Sequence, residues 1–160
     1  MINITYDKLD PERLTQAMRS SANGAVVTFL GTTRDSFDGK KVIRLEYEAY
    51  EEMAIKKLHE IRKEIQQQFS IEDIAISHRI GVVDISEISL AVVVASPHRK
   101  EAFMACQKIV DRVKEIVPIW KKEIFEGGSH WVALKIMSSM GINKKPYKGH
   151  SASNKSDDDI

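Results

Sequence analysis

The sequence contains a single cysteine and no long apolar segment. Cys106 has no second cysteine with which to form an intramolecular disulfide, a zinc pair or a redox pair. No run approaches the roughly 18 apolar residues of a transmembrane helix, and residues 1–10 lack the basic and then apolar pattern of a secretory signal. These absences exclude a disulfide-stabilised scaffold and a helical membrane span, and they predict a protein of the cytosol.

Glycine, proline and an excess of one charge are also scarce. The 160 residues include 8 Gly and 4 Pro, and 24 basic residues balance 23 acidic ones to a net charge of +1. This composition excludes collagen-like, low-complexity and disordered chains, and it gives no global reason to expect binding to nucleic acid or a membrane surface. Hydrophobic residues make up 42% of a chain of about one domain's length, so one compact core is expected.

Three segments have patterns that are typical of helices. An acidic cap followed by proline predicts a short helix at 10–18. Apolar residues at steps of three and four predict an amphipathic helix over 51–69. Ser96 and Pro97 predict the start of a third helix, which Pro118 ends.

Apolar and alternating segments between these helices predict strands at 25–30, 42–50, 74–80, 88–95 and 130–136. A polar loop at 31–40 separates the first two strands and is long enough to carry functional residues. Strands and helices do not alternate regularly, as a doubly wound parallel sheet would require. The sequence therefore predicts an α+β fold.

The C-terminal segment differs in composition from the rest of the chain. Residues 138–160 include five apolar residues and five serines, and end in Asp157-Asp158-Asp159-Ile160. Such a segment offers little apolar surface to a core, so we expect one folded domain at 1–137 followed by a disordered tail at 138–160.

Basic residues concentrate in one segment. Residues 98–122 contain seven Lys or Arg and three acids, a local net charge of +4. A solvated helix face is the simplest explanation. However, if Ser96 caps the helix, His98 and Arg99 lie in its first turn, where positive charge is unfavourable without a bound anion. Free N–H groups, a guanidinium and an imidazole could together hold a phosphate there.

Several single residues have both a structural and a functional interpretation. Lys114 lies beside the apolar stripe of the third helix and Lys121 follows Trp120; such lysines suit acid–base chemistry, although snorkelling explains either one alone. Arg34, in the polar loop, is either an anion-binding or an idle surface residue. His78 and Cys106 are predicted to be core residues. No catalytic triad order, P-loop, dinucleotide turn or metal-ligand spacing occurs.

Five blocks in this order resemble the large, catalytic subunit of molybdopterin synthase. They are residues 24–34 (GAVVTFLGTTR), 45–53 (LEYEAYEEM), 79–83 (RIGVV), 96–103 (SPHRKEAF) and 117–123 (VPIWKKE). Together they span about residues 5 to 132, and their order and spacing make the resemblance specific.

The resemblance implies a hammerhead-type fold with a mainly antiparallel sheet flanked by helices. It also implies a dimer of large subunits within a heterotetramer, in which each large subunit binds a small ubiquitin-like sulfur carrier with a C-terminal Gly-Gly thiocarboxylate. The sulfur would pass to cyclic pyranopterin monophosphate to form the dithiolene of molybdopterin. No metal and no cofactor of its own is implied, and the lack of a catalytic cysteine agrees because the sulfur arrives on the partner.

Position by position, the resemblance implies two catalytic lysines and a set of substrate-binding residues. The catalytic residues would be Lys114 and Lys121, and the binding residues would be Arg34, His98, Arg99, Lys122 and Glu123. His98 and Arg99 are expected to reach the cleft of the neighbouring subunit.

Two features depart from the family pattern. Ser86 stands where the family usually has glycine, which predicts a local change of turn. The tail after Trp131 also differs, so Lys135, Lys144 and Lys145 are only possible substitutes for the family's C-terminal basic residues. A non-catalytic adaptor that binds the carrier through the same groove is the alternative function. The intact basic residues argue against it.

Overall fold

A computed structural model describes residues 1–132 and contains three helices and nine strands within that range. In chain order the elements are β1 (Ile2–Thr5), α1 (Pro11–Met18), β2 (Ala25–Thr32), β3 (Ser36–Phe37), β4 (Lys40–Ala49), α2 (Glu51–Phe69), β5 (Asp73–Arg79), β6 (Gly81–Asp84), β7 (Ile88–Ser96), α3 (Arg99–Ile116), β8 (Ile119–Phe125) and β9 (Gly128–Val132). The predicted α+β class is confirmed.

The first sheet has the strand order β1-β5-β7-β2. β1 is parallel to β5, and the other pairs are antiparallel. β5 and β7 are the two central strands and are buried along nearly their whole length, which explains the nearly continuous apolar run of β7; β5 also buries two polar residues, Ser77 and His78. α2 and α3 pack together against this sheet, and Leu58, Ile61 and Ile109 are fully buried there.

The second sheet is built around β4 and β8. Its main path is β3-β4-β8-β9, and β6 also pairs with β4, so β4 has a neighbour on each side. Every pair in this sheet is antiparallel. The segment between α3 and β9, which had no predicted element, is the strand β8.

The helix predictions are confirmed, with one correction at α3. α2 has the predicted bounds, and the Asp10 side chain caps α1 by accepting a hydrogen bond from the Arg13 N–H at 3.0 Å. The third helix was expected to begin at Ser96-Pro97, but Ser96 ends β7 and α3 begins at Arg99. The reason is that Ser96 continues the ladder with β2, opposite Ala25, so its backbone is extended.

Other predictions fall at the edges of elements or outside the described part of the chain. The predicted polar loop at 31–40 contains β3, and β2 continues through Thr32. The last strand begins at Gly128 rather than 130, and the expected extension to 136, the tail at 138–160 and the three tail lysines lie outside the described residues. Within residues 1–132, no helix is both long and apolar enough to cross a membrane.

Candidate functional site

A cleft of about 830 Å³ opens where the two sheets meet beside the C-terminal end of α3. Four of the predicted site residues line it: Arg34, Lys114, Lys121 and Glu123. The floor is largely apolar, with Phe29, Val42, Leu45, Leu90, Val113 and Ile119. The cleft therefore combines several charged groups with a surface from which water is partly excluded, which strengthens electrostatic interactions inside it.

Strand alternation explains which of the lysines on β8 face the cleft. Lys121 and Glu123 are two residues apart and share a face, whereas Lys122 lies on the other face. Lys121 Nζ lies 2.9 Å from Glu123 Oε1, and Glu123 is only 2% exposed. Lys122 Nζ instead lies 3.9 Å from Glu46 Oε2 and 5.5 Å from the centroid of the Trp131 ring. The structure thus brings Glu123 into the cleft and leaves Lys122 outside its lining.

β4 places two further side chains in the cleft by the same alternation. Tyr47 pairs with Lys121 and Leu45 pairs with Glu123 across the β4–β8 ladder. Burial raises the pKa of Tyr47 and the negative charge of Glu123 raises it further, while a hydrogen bond with Ser89 acts in the opposite direction. Tyr47 is therefore a neutral hydroxyl group at the cleft at neutral pH.

His78 is a buried histidine at the edge of the cleft. It is 6% exposed, its Nδ1 lies 2.8 Å from the Arg79 carbonyl oxygen, and its ring meets Tyr47 edge to face at 5.2 Å. Burial lowers the pKa of His78 to about 4, against a smaller opposing effect of the hydrogen bond. The imidazole is neutral at pH 7 and Nδ1 carries the proton that it donates to the carbonyl. The predicted core position is confirmed, and the residue also lines the cleft.

Arg34 extends from a loop that the backbone holds in place. The N–H of neighbouring Thr33 donates to the Glu87 carbonyl at 3.1 Å, and the N–H of Ser86 donates to the Thr33 carbonyl at 2.8 Å. The Glu87 carboxylate in turn accepts from Arg79 at 2.9 Å. The β6–β7 turn therefore fixes the position at which Arg34 enters the cleft.

Lys114 lies in the last turn of α3, where a cation interacts favourably with the helix dipole. It lines the cleft, with Asp111 and Glu115 of the same helix end beside it. Unlike Lys121, Lys114 forms no ion pair with any residue in 1–132. Its ammonium group is thus the less neutralised of the two.

His98 and Arg99 lie at the opposite end of α3 from Lys114. His98 is the N-cap residue rather than a first-turn residue, and Arg99 is the first helical residue; both are exposed. Lys114 follows Arg99 by fifteen residues, which corresponds to about 22 Å along the helix axis. Neither residue lines the cleft of its own chain, so the monomer does not bring the predicted basic pair and the predicted lysines together.

The predicted core cysteine is confirmed, and several cleft residues were missed by sequence reasoning. Cys106 is 4% exposed and burial raises its pKa to about 11, so it is a protonated thiol. Phe37, Tyr47 and Asp111 line the cleft but were not predicted to do so. The alternation of Leu45 and Tyr47 on one face of β4 was the available signal for Tyr47. Among residues 1–132, no group of three metal-ligating side chains is arranged to hold an ion.

Comparisons with known proteins give one consistent result. The model of the family described as "MoaE protein" matches residues 4–116. The chain is 43% identical over 143 residues to the molybdopterin synthase catalytic subunit of Bacillus subtilis, which covers 89% of this chain and 91% of the relative. It is 44% identical over 131 residues to the catalytic subunit of Homo sapiens, with 82% and 70% covered.

A solved structure agrees with these relatives. The crystal structure of molybdopterin synthase from Staphylococcus aureus matches with a TM-score of 0.79 and 44% identity, over 81% of this chain and 95% of the matched one. The similarity therefore extends to the three-dimensional fold as well as to the sequence.

Proposed function

The chain belongs to the MoaE protein family, and we propose that the cleft beside the C-terminal end of α3 is where the reaction of this family takes place in it. The chain acts as the catalytic subunit of a molybdopterin synthase, a sulfurtransferase of molybdenum cofactor biosynthesis. The observation that carries the assignment of the site is that Arg34, Lys114 and Lys121 line one cleft although they come from three separate elements.

The proposed reaction moves sulfur from a partner onto a pterin. A small ubiquitin-like carrier brings the sulfur as a C-terminal Gly-Gly thiocarboxylate, and cyclic pyranopterin monophosphate receives it. Two transfers supply both sulfurs of the dithiolene. Once the sulfur is bonded to the pterin, a water molecule attacks the carrier's carbonyl carbon, the carbon–sulfur bond breaks, the carrier leaves as a carboxylate and the sulfur stays on the pterin as a thiol. The attack places negative charge on the carbonyl oxygen. Cationic groups fixed in a partly dehydrated cleft stabilise such charge.

Lys121 is suited to this electrostatic role. Its ammonium group is oriented by Glu123, and its side chain is 31% exposed, so it is accessible from the cleft. Lys114, which forms no ion pair within residues 1–132, is suited to proton transfer at the same carbonyl or at the pterin. The guanidinium group of Arg34 is suited to donating hydrogen bonds to an oxygen atom of the substrate.

His98 and Arg99 belong to the proposal through a second copy of the chain. Their distance from Lys114 along α3 prevents them from serving the same cleft in one subunit. In a dimer with two-fold symmetry, each copy could offer this pair to the other copy's cleft. There the exposed N-terminus of α3 and the Arg99 guanidinium would bind the substrate phosphate.

The assembly follows from the same proposal. The curated relatives are named catalytic subunits, which implies a further subunit in their enzymes. We expect the carrier to be that subunit and two carriers to bind a dimer of this chain as a heterotetramer in the cytosol. The adaptor alternative is not favoured, because the relatives are named as catalytic and the basic residues of the cleft are all present.

The test is direct reconstitution. Purified chain, thiocarboxylated carrier and cyclic pyranopterin monophosphate are mixed, and molybdopterin is measured. We expect product with the natural chain and with Lys56→Ala, an exposed lysine of α2 away from the cleft, and a large loss with Lys114→Ala. An adaptor would bind the carrier and form no product. Equal product from all three chains would remove Lys114 from the site.

A further inference from the structure

A phenylalanine projects from a tight hairpin at the mouth of the cleft. Phe37 lies on β3, and the turn to β4 consists of Asp38 and Gly39, with φ values of 50° and 74°. Two consecutive left-handed residues are typical of the type I′ turn, which closes a hairpin rigidly in the twist of its strands. Phe37 lines the cleft yet remains 44% exposed.

The Phe37 ring is close to two of the cleft's cations. The guanidinium carbon of Arg34 lies 5.7 Å from the ring centroid, and Nζ of Lys121 lies 6.0 Å from it. Arg34 comes from the loop after β2 and Lys121 from β8, so the ring is where two separate elements converge. Both distances are within the range of cation–π attraction, which holds the ring and the cations in a common arrangement.

An exposed aromatic ring beside two cations is a specific chemical surface. It offers a flat apolar face and, at its rim, donors for oxygen atoms. A planar, conjugated heterocyclic ring with a carbonyl oxygen matches both features, because it stacks on the flat face while its oxygen accepts hydrogen bonds. A Gly-Gly peptide tail matches poorly, because it has no side chain to place against the ring.

We propose that Phe37 contacts the substrate: the planar pyrimidinone ring of cyclic pyranopterin monophosphate stacks on the Phe37 ring, with Arg34 and Lys121 at the carbonyl edge of that ring. The proposal rests on the proposed function and adds to it the residue that recognises the flat part of the substrate. The substrate phosphate would bind at the N-terminus of α3 of the second copy, as in the proposed function.

The experiment compares Phe37→Leu with Phe37→Tyr and Phe37→Trp in the complex with carrier. The dissociation constant for cyclic pyranopterin monophosphate is measured by equilibrium dialysis, and KM is measured for pterin and carrier separately. We expect Phe37→Leu to weaken pterin binding about tenfold, the scale of one lost ring stack. The two aromatic variants should bind within about twofold of the natural chain, and KM for the carrier should not change.

Phe125 provides a matched control. Its ring also has a lysine nearby, with Lys40 Nζ 5.8 Å from the centroid, but Phe125 does not line the cleft. Phe125→Leu removes the same atoms from the same sheet, so it reports any general effect of losing a ring. We expect its pterin affinity to equal that of the natural chain. Thermal melts confirm that each variant is folded at the assay temperature.

Several results would overturn the proposal. Natural pterin affinity in Phe37→Leu would show that the ring is not in contact with the pterin, and a raised KM for the carrier alone would assign the ring to the peptide tail. A lower kcat with unchanged pterin affinity would make Phe37 a residue that only positions the lysine. In each case product from the natural chain would leave the proposed function intact. Absence of product from the natural chain would overturn both.

Discussion

Lys121 and Glu123 form an ion pair on the cleft face of β8 in which the two partners are unequally buried. Nζ and Oε1 are 2.9 Å apart, the lysine side chain is 31% exposed and the glutamate side chain is 3% exposed. The second carboxylate oxygen of Glu123 has no hydrogen-bond partner among residues 1–132. Because Lys121 is the cation that pairs with this buried carboxylate within residues 1–132, it offsets the cost of burying the negative charge. Lys121 therefore has a structural role in addition to the proposed catalytic one.

The first prediction separates these two roles of Lys121. Lys121→Ala should lower turnover by roughly 100-fold or more, because a cation that stabilises developing charge is removed, with little change in carrier affinity. It should also reduce the free energy of unfolding by about 1–3 kcal/mol, since Glu123 is left buried and unpaired.

The double variant Lys121→Ala with Glu123→Gln is the control for this prediction. A neutral amide replaces the unpaired carboxylate, so most of the lost stability should return while turnover stays low. Denaturation curves and product formation measure the two effects. Turnover that recovers together with stability would mean that Lys121 acts only through the fold.

His78 makes stability depend on pH. Its pKa is about 4 in the folded chain and about 6.5 when unfolded, so the unfolded state binds a proton first as the pH falls. Above pH 6.5 the imidazole is neutral in both states and costs the folded chain no stability. As the pH falls from 6.5 to 4, protonation of the unfolded chain progressively lowers the free energy of unfolding. Between pH 7 and 5 the free energy of unfolding should fall by about 2 kcal/mol from this group.

The matching experiment uses urea denaturation at pH 7 and pH 5. His78→Gln should lose most of this difference, whatever its stability at pH 7. His59→Gln, which changes an exposed histidine of α2, should keep it. An unchanged pH dependence in His78→Gln would show that the imidazole is not held neutral by burial.

Ser86 occupies a backbone conformation that favours glycine. Its φ is 67°, and the Glu87 N–H donates to the Asp84 carbonyl at 3.0 Å, so Ser86 is the third residue of a four-residue turn. Ser86→Gly should raise the free energy of unfolding by about 0.5–1 kcal/mol, because the left-handed conformation strains a residue with a Cβ. Ser86→Ala keeps the Cβ and should bring no gain, which thermal melts can check. The glycine expected here from the family pattern agrees with this geometry.

The sequence contained enough local information for some elements and too little for others. The bounds of α2 could be predicted because nineteen residues repeat one apolar period. The strand β8 could not be predicted, because three consecutive charged residues interrupt its apolar pattern. Its backbone hydrogen bonds go to β4, which is distant along the chain, and to β9, which follows after a turn.

The candidate site shows the same limit. Arg34, Lys114 and Lys121 could be selected by residue type and surroundings. That Lys121 faces the cleft and Lys122 does not could be recognised only once β8 was known to be a strand, since neighbouring residues of a strand lie on opposite faces. The role of Phe37 could not be predicted for a related reason: Phe37 and Lys121 are distant in the sequence, and only the fold brings them into contact.

Arg99 is predicted to bind substrate and not to support the fold. It is exposed, begins α3 and makes no ion pair within the described part of the chain. A cation in the first turn is unfavourable there without an anion, so Arg99→Ala should leave the melting temperature unchanged or slightly higher. Pyranopterin affinity should weaken by about 1.5–3 kcal/mol, the scale of a lost charge-assisted contact, as calorimetry would measure. Lys100→Ala is the control at the neighbouring position, and equal affinities in both variants would remove Arg99 from the site.

The last prediction tests whether two copies of the chain share each site. Arg99 and Lys114 stand about 22 Å apart along α3, so a cleft that uses both must take them from different copies. Assayed at a pyranopterin concentration no higher than the dissociation constant of the natural chain, the Arg99→Ala and Lys114→Ala chains should each have little activity alone. When the two are unfolded together and refolded, half of the dimers should be mixed, and each mixed dimer should contain one cleft with both residues and one with neither. Activity should therefore return to about a quarter of the natural value. No recovery, although sedimentation shows dimers, would mean that each cleft is complete within its own chain and that Arg99 serves another purpose.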